Sequence, residues 1–300
     1  MKNRYSSLVL LLCTCFMVVS CESLRSLTSK DDFYSGQKVL FQRGDTFPEY
    51  SDIDESQWIS IASRPELSVD KIYATLVKKG SSQALTEARK FLLRYPGDLD
   101  GFEALARMLY VDKQLGLAEH YAQYILSKDP RRVEMYNILG LVKVYQAESM
   151  QDFRQAEMLF EKAADGSGTG VVALLNLGFM YLEMGALDRA RSSFDRAYER
   201  CGQCSPALLG LGITYKRLEQ PQEAIAYLEQ ALKTSMPTKT RYKFYFHLAL
   251  ILRKNPQTRL RAQSLLVEIV NNLPSKDQLA FRSQSVINEM RLRVPPTSSR

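Results

Sequence analysis

Two thiols three residues apart, in Cys201-Gly202-Gln203-Cys204, are the only cysteines beyond residue 21 of this 300-residue sequence. Such a pair can close a structural clip or, where it opens a helix in a βαβ unit, exchange disulfides. No βαβ pattern surrounds it, and zinc would need two further ligands that the neighbouring residues do not supply. The only histidines, His120 and His247, lie far apart without metal-ligand spacing and read as helix-face residues. Gly166-Ser167-Gly168-Thr169-Gly170 lacks the Lys-Ser or Lys-Thr that a phosphate loop needs, and reads as a permissive turn. Catalysis requires convergent polar groups, and the sequence offers no such set. The chain therefore reads as a non-enzyme with no catalytic residue, cofactor, metal or small-molecule substrate.

The N-terminus carries a different chemistry. Leu8 to Ser20 is a thirteen-residue apolar run, preceded by Lys2 and Arg4 and closed by a small residue. A helix that crosses a bilayer takes about twenty apolar residues, so this run reads as a secretory signal peptide over residues 1–20. Its end, Val18-Val19-Ser20-Cys21, resembles the bacterial lipobox, which implies a diacylated Cys21 as the first mature residue. Two or three acyl chains anchor far more firmly than one, at about 0.8 kcal/mol per buried CH₂. Glu22 stands where lipoproteins held in the inner membrane often carry Asp. The resemblance thus implies the outer membrane, with the chain facing the periplasm. In that oxidising compartment Cys201 and Cys204 are expected to pair.

Charge is unevenly spread. From Lys239 to Arg300 twelve Lys or Arg face only Glu268, Asp277 and Glu289. In a periplasmic protein such a region suits anionic lipid head groups, peptidoglycan carboxylates or an acidic protein surface, and nucleic acid is not expected. It can equally be a solvated flank.

The elements that must carry these features come from an internal repeat. Gly178, Tyr181, Ala190 and Ala197 recur as Gly212, Tyr215, Ala224 and Ala231, each 34 residues on. Small residues at Gly178 and Ala190 let antiparallel helices approach closely, while Tyr181 and Phe194 fill the space beside them. Ala118 and Pro130, Ala84 and Pro96, and Ala262 and Pro274 extend the register. Gly140, Ala156, Phe160 and Ala163 do so with about four extra residues, read as a longer loop near Gln146 to Asp152. Period and residue types resemble the tetratricopeptide repeat. The resemblance implies an all-α, right-handed superhelical solenoid of about six helix hairpins over 65–276: roughly 65–98, 99–132, 133–170, 171–204, 205–238 and 243–276. A capping helix is expected over 277–294, opened by Ser275 with Gln278 and striped by Leu279, Val286, Ile287 and Met290, before a fraying tail at 295–300. Residues 21–64 read as a tether, with a root-mean-square reach of roughly 30 Å, a short helix from Asp52 to Ala62 and a docking Trp58.

The tetratricopeptide resemblance also implies a concave groove lined by the first helix of each hairpin. On this register the groove includes Asn137, Leu141, Val144 and Tyr145, then Val172, Leu175, Phe179 and Leu182, then Leu209, Ile213, Lys216 and Arg217. An exposed apolar strip of that kind suits a helix or extended peptide from a protein partner, and tight superhelical winding is the alternative that would bury it. Lipobox cysteine, tether and six repeats together resemble the type IV pilus pilotins, outer-membrane lipoproteins that help the secretin pore insert and multimerise. That resemblance implies a membrane-anchored, protein-binding scaffold whose partner is an outer-membrane secretin. The other readings are a lipoprotein of the β-barrel insertion machine and a scaffold in an envelope motility or peptidoglycan-synthesis complex.

Overall fold

Two kinds of helix alternate along the chain, and their sequences say why. The segment Gly170–Glu183 is apolar on nearly every side, with Val172 through Gly178 all buried, so it must be covered on several faces. The next, Leu187–Cys201, is polar except for a stripe of Ala190, Phe194 and Ala197, so it needs cover on one face only. A stack of hairpins meets both needs: the first helix of each hairpin packs against its partner and against the first helices above and below.

The computed structural model describes residues 67–165, 170–202, 204–234 and 238–292. Cys21, the tether with its Asp52–Ala62 helix and Trp58, most of the Gly166–Gly170 run and the tail lie outside these residues. Thirteen α-helices follow in order: α1 Val69–Lys79, α2 Ser81–Arg94, α3 Leu99–Val111, α4 Leu115–Lys128, α5 Glu134–Gln146, α6 Met150–Ala164, α7 Gly170–Glu183, α8 Leu187–Cys201, α9 Ser205–Arg217, α10 Pro221–Leu232, α11 Thr238–Leu252, α12 Arg259–Asn272 and α13 Gln278–Leu292. Each helix packs on the next, and each odd-numbered helix also packs on the odd-numbered one after it. Six hairpins, α1/α2 to α11/α12, therefore form a solenoid whose odd helices line the inner side, with α13 covering the last hairpin.

The alanines that set the repeat register, Ala84, Ala118, Ala156, Ala190, Ala224 and Ala262, are all fully buried. Glycine works with an aromatic ring at the same contacts. A Cβ on Gly178 would stand 2.6 Å from the Phe194 ring, and one on Gly140 would stand 2.7 Å from Phe160. Phe194 also presses on Gly210 of the following hairpin, so one ring is seated between α7 and α9.

Two local expectations are corrected. The four extra residues of the third hairpin do not lengthen its loop: three residues separate α5 from α6, as three separate α7 from α8. They extend the helices instead. Counted from Gly140 and Ala156, one residue is added to the end of α5 and three to the start of α6. The new helix start is fixed by a capping box, with Ser149 accepting from the Asp152 amide and Asp152 accepting in return. At α13 the cap is Asp277, whose Oδ1 accepts from the Leu279 amide at 2.9 Å, rather than Ser275. The carboxylate sits beside the first free amides, where a negative charge is favoured. Ala280, Val286, Ile287 and Met290 are buried and Leu279 half-buried, so α13 seals the stack with one face.

The apolar core has two parts that meet at α9. Ala207 and Leu211 belong to the core running back to α1, while Leu208 and Leu209 belong to the one running on to α13. Even helices stand farther apart, and long ion pairs span the gap between them. Arg196 of α8 holds Glu161 of α6 with two bonds of 2.9 and 3.0 Å, Arg189 pairs with Glu157, and Arg261 of α12 reaches Glu229 of α10 at 2.8 Å. Pairs this exposed contribute about 0–1 kcal/mol each.

Candidate protein-binding site

The inner face is built by α1, α3, α5, α7, α9 and α11, and its exposure depends on how closely these helices pack. Seven of the twelve groove residues are buried: Asn137, Leu141, Val144, Val172, Leu175, Leu182 and Leu209. Leu141, Val144, Leu175 and Leu182 join the first core and Leu209 the second. The exposed apolar strip implied by the sequence is thus corrected to a narrower surface, because successive inner helices seal these side chains between them. Asn137 is likewise engaged within the stack: the Asn176 amide on α7 donates to its Oδ1 at 2.8 Å in a buried inter-repeat bond.

Five of the twelve keep partial exposure: Tyr145, Phe179, Ile213, Lys216 and Arg217. The Lys113 ammonium lies 4.5 Å from the centre of the Tyr145 ring, a cation–π contact between neighbouring hairpins. Phe179 meets Phe194 edge-on at 4.9 Å, so it shares its ring between the face and the core. Arg217 donates to the Leu182 carbonyl at the end of α7 and lies 3.7 Å from Glu183, which fixes its guanidinium across the joint between two hairpins.

Sequence reasoning missed what surrounds Lys216. Burial, then the neighbouring charges of Arg217, Arg282, Lys254 and Arg253, push its pKa down to about 8. Burial and the charges of Lys216, Arg282, Arg217 and Lys243 hold His247 well below its ordinary value, and its Nδ1 is buried with no hydrogen-bond partner among the described residues. His247 is therefore neutral near pH 7. The excess of Lys and Arg after residue 239 was legible, but its gathering beside two groove residues was not, since that requires α9, α11 and α13 to lie side by side.

Cys201 and Cys204 are disulfide-bonded between α8 and α9, with Gly202 in the left-handed conformation that ends α8. Both half-cystines pack against the first core. No group of three or more His, Cys, Asp or Glu that could hold a metal occurs among the described residues. His120 is exposed on α4 and His247 lies on α11, several hairpins away.

Residues 171–235 match the tetratricopeptide-repeat family model. No curated protein matches the chain. Among solved structures, PilW, described as a widely conserved type IV pilus biogenesis factor, superposes with a TM-score of 0.56 at 17% identity, covering 73% of this chain and 96% of PilW. PilF of Pseudomonas aeruginosa gives 0.54 at 17% identity over 73% and 95%. A tetratricopeptide-repeat protein of Parabacteroides merdae gives 0.55 at 14% identity over 90% and 96%. At these identities the likeness is one of fold. Hairpin order and the buried register alanines give the described residues a solenoid of helix hairpins, within which residues 171–235 match tetratricopeptide repeats.

Proposed function

We propose that the protein is a lipid-anchored scaffold on the periplasmic side of the outer membrane, where it binds secretin subunits and helps their pore assemble. The observation that carries this reading is a six-hairpin stack covering nearly all of PilW, joined in one sequence to the lipobox-like Val18-Val19-Ser20-Cys21. Cys21 holds the chain at the membrane, and the inner face grips the partner. Tyr145, Phe179 and Ile213 supply apolar anchors there, and Lys216 and Arg217 supply charge beside them. This mix suits an amphipathic helix or extended segment better than a purely apolar one.

The test is a photo-cross-linking phenylalanine analogue in place of Tyr145, expressed as wild type and as Cys21→Ala, with membrane fractionation and mass spectrometry of the adducts. The expected result is acylated protein in the outer membrane and a secretin adduct that is lost with the acylation. An adduct with the β-barrel insertion machine or a peptidoglycan synthase instead would replace the secretin reading, and an unacylated wild-type Cys21 would overturn the anchor.

A further inference from the structure

Cys204 is the residue that opens α9, and its amide donates to Sγ of Cys201 at 3.2 Å. The sulfur of Cys201 therefore stands beside a helix N-terminus, where backbone amides and the helix dipole favour a thiolate. The Tyr198 carbonyl, the other polar group near this sulfur, is farther away at 3.8 Å. No hydrogen bond reaches Sγ of Cys204 among the described residues. When the bond between the two sulfurs breaks, negative charge is thus better held on Cys201. The motif lacks the βαβ setting of a disulfide exchanger, but it keeps the physical part of that setting, a cysteine sulfur at the opening of a helix.

Access is open as well. Both half-cystines are half-buried, and Gly202 between them is exposed, with nothing within 4 Å of where its Cβ would stand. The bond spans the joint at which the two apolar cores meet, since α8 buries its stripe in the first and α9 contributes to both. Other ties cross that joint: Phe194 of α8 presses on Gly210 of α9, and Gln230 of α10 donates to the Tyr198 hydroxyl of α8 at 2.9 Å. Opening the disulfide therefore leaves the hairpins packed and frees only the short turn between them.

We propose that Cys201–Cys204 is an exchangeable disulfide, opened by a dithiol reductant that attacks Cys204 and expels Cys201, and that its opening loosens the turn between α8 and α9 while the stack stays folded. The reductant's first thiolate forms a sulfur–sulfur bond to Cys204 as the Cys201–Cys204 bond breaks, and the electron pair leaves on Cys201. The reductant's second thiolate then attacks the reductant sulfur of that mixed disulfide and frees Cys204. Two electrons and two protons pass from the dithiol to this chain, and the reductant departs as a disulfide. None of these steps depends on the lipid or on which protein the inner face binds, so their failure leaves the secretin reading intact, and the reverse also holds.

Dithiothreitol on the full chain tests the exchange directly. Freed thiols are trapped with iodoacetamide and read by mass spectrometry on the tryptic peptide 201–216, which leaves out Cys13, Cys15 and Cys21. Opening in native buffer should run within about tenfold of its rate in concentrated urea, with the helical circular dichroism unchanged, because no global unfolding is needed. A larger lag would make the bond a buried staple and overturn the proposal, as would loss of the helical signal on reduction. The direction of attack is read from Cys204→Ser and Cys201→Ser, each of which keeps one thiol. The pH profile of their labelling should give Cys201 about tenfold more thiolate than Cys204 at pH 7. A Cys204 as ionised as Cys201, or more so, would sink the assignment of Cys201 as the leaving sulfur. Amide hydrogen exchange of reduced wild type gives the last measurement: it should quicken at residues 201–205 and hold steady through the bodies of α8 and α9. No change at the turn, or a change spread through both helices, would overturn the loosening.

Discussion

Phe194 shows how one side chain can decide the spacing of three helices. Its ring is fully buried and leaves room for hydrogen only at Gly178 on one side and Gly210 on the other. Gly178→Ala should cost about 1–3 kcal/mol, the range for overpacking a tight contact. In a Phe194→Leu background the same substitution should cost about half as much, since the smaller side chain can yield. Urea unfolding of the four proteins in this cycle checks the coupling, and additive losses would count against the contact. His247 makes a pH-dependent contribution of definite sign. Its folded-state pKa lies below the value of about 6.5 in the unfolded chain. The unfolded chain therefore takes up a proton that the folded one refuses. The stability this neutral ring permits is full above about pH 6.5 and declines as the pH falls below it. Unfolding midpoints between pH 7.5 and 5 should drop, and His247→Gln should flatten that drop.

At the scale of elements, the hairpin is what the sequence makes legible. Close approach of two helices demands small residues at fixed spacing, so Gly178, Ala190, Gly212 and Ala224 show in the chain as a period. Exposure of the groove residues was not legible, because Leu141, Leu175 and Leu209 are buried through the winding of one hairpin on the next, which no single hairpin encodes. The insertion after Gly140 was misplaced for a related reason. An added turn of helix supplies its own hydrogen bonds, whereas a longer loop would leave backbone groups to be satisfied elsewhere. The turns hold a further expectation. Gly185 has φ of 71°, and Glu219, one repeat later at the equivalent position, is held at 59°. A side chain there costs roughly 1–2 kcal/mol, and glycine gives part of this back through its looser unfolded state. Glu219→Gly should therefore stabilise the fold by about 0.5–1 kcal/mol, measurable as a rise in thermal midpoint.

The whole molecule is a chain of joints with one marked seam. The two apolar cores divide at α9, and the disulfide joins α8 to α9 at that place. A four-residue covalent loop constrains the unfolded chain by about 2 kcal/mol on a chain-entropy model. Both basic anchors of the inner face, Lys216 and Arg217, also lie on α9, so the clip braces the helix that presents them. The polarity of the chain was legible as a sum of charges after residue 239. Its conversion into a patch on one face was not, because Lys216, Arg253 and Arg282 come together only when α9, α11 and α13 are stacked.

Arg–Glu pairs run along both sides of the stack, Arg196 to Glu161 outside and Arg217 to Glu183 and Arg253 to Glu289 inside, and the apolar cores lie between them. Salt screens such exposed pairs and leaves buried apolar contacts in place. The bend of the stack therefore belongs to its core, and the fit of any long ligand follows the bend of the whole spring rather than the shape of one pocket.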